Sequence, residues 1–130
     1  MVQELKSELR KSENLLNQII KKREGEMRFR FENIYNHLSI SDKTYKWLAN
    51  QTDLHVLVSA EAAMHEYNDG NFLLHVGKIN GTPYYHNSFG PGNAYRIYYC
   101  MSNDRVCIAD IGHKNIQKEN IAWLRSHPAA

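Results

Sequence analysis

Apolar residues recur at helical spacing from the start of the chain, at Leu5, Leu9, Leu15, Leu16, Ile19 and Ile20, with Glu4, Lys6, Glu8, Arg10 and Lys11 between them. This predicts an amphipathic helix over residues 2 to about 23. Gly25 marks its expected end, and Lys21, Lys22 and Arg23 complement the helix dipole in the last turn. Met27-Arg28-Phe29-Arg30-Phe31-Glu32-Asn33-Ile34-Tyr35 then alternates apolar and polar side chains. That pattern fits a half-buried strand, or an extension of the helix. Ser41 or Asp42 can cap a short helix with Tyr45, Leu48 and Ala49 on its apolar face, and Asp53 or Ser59 opens another that runs to Tyr67 and stops at Asn68-Asp69-Gly70-Asn71.

Strand patterns follow at residues 72–79, 84–89, 94–101 and 105–111, separated by Asn80-Gly81, Gly90-Pro91-Gly92-Asn93 and Asn103-Asp104. They predict an antiparallel meander. A last helix, from about residue 116 to 126, buries Ile116, Ile121, Trp123 and Leu124 in some combination, and Pro128 ends it. The expectation is an α+β fold: a small antiparallel four-strand sheet with N-terminal helices and a C-terminal helix packed on one face. Residues 1–26 form a helical extension and residues 27–130 the α+β domain.

Composition narrows the classes. A chain of 130 residues with 42% hydrophobic content suits one domain with a modest core. No apolar run approaches the roughly 20 residues of a spanning helix, and Met1-Val2-Gln3-Glu4-Leu5-Lys6 lacks the apolar stretch of a secretory signal, so a cytoplasmic protein is expected. Cys100 and Cys107 then read as reduced core residues. Residues 1–70 carry 10 Lys/Arg against 11 Asp/Glu, whereas residues 71–130 carry 6 against 3 and four of the seven histidines. That half suits a polyanion such as RNA.

The densest chemistry lies in Ala94-Tyr95-Arg96-Ile97-Tyr98-Tyr99-Cys100 and in Val106-Cys107-Ile108-Ala109-Asp110-Ile111-Gly112-His113-Lys114. Cleaving RNA by attack of a 2′-hydroxyl needs a base, an acid for the leaving oxygen and cations around the phosphorane. His86, His113, Arg96 and Lys114 supply these types, with no metal or nucleotide cofactor required. Tyr84, Tyr85, Tyr95, Tyr98 and Tyr99 offer rings for base stacking. Alternation puts Tyr95, Ile97 and Tyr99 on one strand face and Arg96, Tyr98 and Cys100 on the other, so half the tyrosines are core. His37, His55, His65 and His75 show no ligand spacing, and Gly90-Pro91-Gly92-Asn93 lacks a phosphate-loop signature.

With Lys78-Ile79-Asn80-Gly81 ahead of them, these two segments resemble the RelE/ParE superfamily of bacterial toxins over roughly residues 42–121. The resemblance implies a RelE-like fold and a toxin-type endoribonuclease that cleaves mRNA at the ribosome and inhibits translation and growth. The alternative branch is a non-catalytic ParE-like toxin that binds gyrase or another protein, and a third possibility shares only the fold. Carried over, Arg96 matches the arginine near the scissile phosphate, His113 and Lys114 the basic strand end, and Tyr85 or His86 the preceding catalytic position. Tyr85, Lys78 and Gln117 make up the implied RNA-binding set, and a protein antitoxin is the implied regulator. The chain departs from the pattern in lacking the C-terminal catalytic Tyr, since Lys118-Glu119-Asn120 stands there, and in its N-terminal helix. That helix packs on the domain, self-associates or covers the site.

Overall fold

The computed structural model describes residues 2–71 and 77–127. Its first element, α1 (Val2–Ile34), is one continuous helix of 33 residues. The alternating segment from Met27 therefore extends the helix. Side chains two apart stand about 200° around a helix, so only one of two such aromatics can face the body. Phe31 is buried while Phe29 is 73% exposed. The intervening cations bind outward partners: Arg28 donates to Asp42 at 2.8 Å and Arg30 to Glu61 at 2.7 Å. Gly25 lies within the helix with open space where a Cβ would stand, so it does not end it.

After β1 (Leu38–Ile40) come α2 (Asp42–Asn50) and α3 (Leu54–Asn68). The Ser41 hydroxyl caps α2 by accepting from the Thr44 amide at 3.1 Å, and the Asp53 carboxylate caps α3 by accepting from the His55 amide at 2.9 Å. Then follow β2 (Gly77–Lys78), β3 (Tyr85–Phe89), β4 (Tyr95–Ser102), β5 (Arg105–His113) and α4 (Gln117–Ser126). Most of the first expected strand, and Pro128, lie outside the described residues.

Among the described residues the sheet has five strands in the order β1-β5-β4-β3-β2. β2 to β5 pair antiparallel as the meander predicts, but β1 adds to β5 in parallel, Leu38 opposite Val106 and Ile40 opposite Ile108. The four-strand antiparallel sheet is thus corrected to a five-strand mixed one. Without β1 the outer edge of β5 would leave a row of backbone groups unpaired. The helices also divide between faces instead of sharing one. Phe31, Tyr45, Leu48, Val56, Met64 and Tyr67 of α1, α2 and α3 pack with Ile97, Tyr99, Ile108 and Ile111 on the inner face. On the outer face Leu124 of α4 packs with Tyr98, Cys100, Ile79 and Tyr84. Ile121 and Trp123 are half-buried there, while Ile116 remains 43% exposed.

One irregularity governs the site. Tyr98 is opposite Asp110 and Tyr99 is opposite Ile108, so Ala109 is an extra residue in β5. Ile108 and Ile111, three positions apart, consequently share the inner core. The Ala109 carbonyl, displaced from the ladder, accepts from the Ser41 hydroxyl at 2.8 Å.

Candidate functional site

The start of β4 and the end of β5 meet at one edge of the sheet, with Tyr95 opposite His113 and Arg96 opposite Gly112. Lys114 follows directly, exposed, its amide donating to the Ala94 carbonyl at 2.8 Å. Arg96 stands on the outer face, where its Nη1 donates to the carbonyls of Asn93 at 2.7 Å and Tyr95 at 3.1 Å. These bonds tie the guanidinium to the turn that precedes β4.

His86 joins Arg96 on that face. It lies opposite Tyr98, with ring centroids 6.2 Å apart, and next to Ser88, the partner of Arg96. Burial, and then the neighbouring Arg96 charge, hold its imidazole below the usual histidine pKa. Gly77 makes room for it, because a Cβ there would collide with the His86 ring.

His113 faces the opposite way. Its ring meets Tyr95 edge-on at 5.1 Å, and Trp47 of α2 contacts Tyr95 from beyond at 6.0 Å. Its Nδ1 accepts from the Asn115 amide at 3.1 Å and so caps the short turn of residues 114–116. The four candidates therefore do not converge: His86 and Arg96 share the outer face, and His113 serves the inner one. Strict alternation from Cys107, on the outer face, would have carried His113 to the side of Arg96. The extra residue Ala109 reverses that phase.

The expected RNA-binding residues are also dispersed. Tyr85 stacks on Tyr99 at 5.8 Å and 26°, and Lys78 lies opposite it in β2. Gln117 opens α4 after β5, and β2 lies three strand spacings from β5, about 14 Å.

A polar centre that the sequence reading passed over lies under α4. Asp110, 1% exposed, accepts from Lys43 Nζ at 2.7 Å, from Asn120 Nδ2 at 2.6 Å and from the Ile111 amide at 2.9 Å. Lys43 also stands 4.3 Å over the Trp123 ring, which joins α2 to α4. The buried Tyr98 hydroxyl and Asn120 Oδ1 have no hydrogen-bond partner among the described residues. Burial, and then the Asp110 charge, push the Tyr98 phenol up to about 12. Gly112 lets α4 and the turn before it come close, since a Cβ there would lie 2.9 Å from Ile116 Cδ1 and 3.2 Å from Asn120 Oδ1. The signal available in the sequence was a lone carboxylate in the apolar run from Val106 to Ile111.

Cys100 and Cys107 are directly opposed in the β4–β5 ladder and both are free thiols. Burial, and then Cys107, push the Cys100 thiol up to about 11. Among the described residues no group of three or more His, Cys, Asp or Glu is arranged to hold a metal ion, and no helix is long and apolar enough to cross a membrane. Comparison of the chain with protein-family profiles, curated proteins and solved structures finds no match.

Proposed function

We propose that the chain is a toxin of RelE/ParE type that acts by holding a protein target, gyrase or another partner, and not by cutting RNA. Support for the type comes from Tyr95-Arg96 and Gly112-His113-Lys114, the segments that carry the resemblance, which lie side by side at one sheet edge. The observation that supports binding over cleavage is the separation of His113 from His86 and Arg96 on opposite faces. General acid–base cleavage needs two proton-transfer groups within reach of one phosphate. His86 supplies one such group, whereas His113 Nδ1 is engaged by a backbone amide. A binding toxin has no need of the pair. A protein antitoxin is the proposed regulator, and the cytoplasm the proposed place of action.

The second reading, an endoribonuclease acting on mRNA at the ribosome, draws on a different observation. His86 is held toward its neutral form beside Arg96, the state a general base requires. In that reading His86 and Arg96 carry the reaction, with Lys114 as a further cation and Lys78, Tyr85 and Gln117 as RNA contacts.

The test is controlled expression of the wild type, His86→Ala and Arg96→Ala, following growth, new RNA 5′ ends and gyrase-dependent supercoiling. Growth arrest without new 5′ ends supports the binding reading. Codon-phased cuts that vanish in His86→Ala overturn it in favour of cleavage, and the absence of arrest overturns the toxin assignment itself.

A further inference from the structure

The N-terminal part of α1 carries an exposed apolar seam. Val2, Leu5, Leu9, Leu16 and Ile19, with Ser12 among them, follow a three-four spacing, and the five apolar members are 54–67% exposed. Partial burial starts at Ile20 and Arg23, and α1 reaches the core at Met27 and α2 through the Arg28–Asp42 pair. A helical segment of this length is marginal in water unless its apolar face is covered.

We infer that this overhang pairs with the same segment of a second copy, antiparallel. In an antiparallel two-helix coil each a position meets a d position of the other helix. Here Val2, Leu9 and Leu16 occupy a, and Leu5, Ser12 and Ile19 occupy d. Setting Leu9 against Ser12 of the second copy brings Leu5 against Leu16 and Val2 against Ile19. The two-fold axis repeats each layer, so no leucine, isoleucine or valine of the seam is left unmatched.

The flanking charges select this direction. In the antiparallel register Lys6 faces Glu13 of the second copy, twice by symmetry. A parallel pair would place Glu8 beside Glu13 twice, and its next seam layer would set Arg23 against Arg23. Length agrees as well. Val2 to Ile19 spans about 27 Å at roughly 1.5 Å per residue, so the two folded bodies stand at opposite ends of the coil and do not compete for space.

The full chain is tested by analytical ultracentrifugation over a range of concentrations. The wild type is expected to be a dimer and Leu9→Asp a monomer; because Leu9 is 59% exposed, thermal melting followed by tryptophan fluorescence serves as the folding control. Glu13→Lys faces Lys6 in the antiparallel coil and is expected to weaken the dimer about tenfold, with Lys6→Glu added to it restoring association. A wild type that stays monomeric overturns the inference, because the seam must then serve a different partner. Tighter association of Glu13→Lys overturns the antiparallel arrangement, since that variant repairs the parallel one.

Discussion

Asp110 is the polar group on which the packing of α4 depends, and removing it gives a loss whose size follows from its partners. In Asp110→Ala the Asn120 amide and the Ile111 N–H lose their acceptor inside the protein. Each buried donor left unpaired costs about 1–3 kcal/mol. The Lys43 side chain is 41% exposed and regains water, so it adds little. The sum, reduced for the water that can enter the space left by the carboxylate, is about 3 kcal/mol. At this chain length that corresponds to a fall in Tm of about 12 °C, taking about 4 °C per kcal/mol. Urea denaturation followed by tryptophan fluorescence reads it, because Trp123 packs beside Lys43. Lys43→Met in the Asp110→Ala background is expected to add less than about 0.5 kcal/mol, since its partner is already gone. A loss below about 1 kcal/mol in Asp110→Ala, or full additivity of the two changes, refutes the reasoning.

Three further outcomes are expected. His86 is held below its usual pKa, so the unfolded chain takes up a proton first on acidification. The stability this contributes is present above about pH 6.5 and is lost as pH falls through the lower folded value. Arg96→Gln is expected to raise the His86 titration toward its ordinary range, read by NMR of the imidazole; an unchanged midpoint removes the Arg96 charge as a cause. Tyr98→Phe deletes a buried hydroxyl that has no partner among the described residues and is expected to leave stability unchanged or to raise it by about 1 kcal/mol in chemical denaturation. Gly25→Ala places a methyl group in open space within a helix and is expected to stabilise α1 by about 0.5–1 kcal/mol, seen as a rise in helicity and Tm; a loss would mean that the helix bends there.

What the sequence made legible is local. Caps are chosen by neighbours in the chain, so Ser41 and Asp53 stand among the residues expected at the starts of α2 and α3. Asn103, with φ of 55°, turns the β4–β5 hairpin as its residue type suggests. Alternation along β4 assigned Tyr95, Ile97 and Tyr99 correctly to one face. Three features were not legible, because distant partners decide them. β1 has three residues, too few to show a period, and exists because β5 has an open edge. Phe29 and Phe31 mimic a strand because charged side chains separate them, while Asp42 and Glu61 show those charges to be tethers of a helix. Asp110 acquires its meaning only when Lys43 and Asn120 arrive from two other elements.

The extra residue in β5 gives the sheet edge a phase, in the sense that a reading frame has one. Deleting Ala109 would close the ladder and leave Asp110 to His113 on the faces they now occupy, at the expense of the carbonyl that Ser41 uses. Inserting one residue between Ile111 and Gly112 would do the reverse, carrying the His113 imidazole across the sheet to the side of His86 and Arg96. Whether this edge presents one histidine or two beside its arginine is therefore decided by the parity of a count along a single strand.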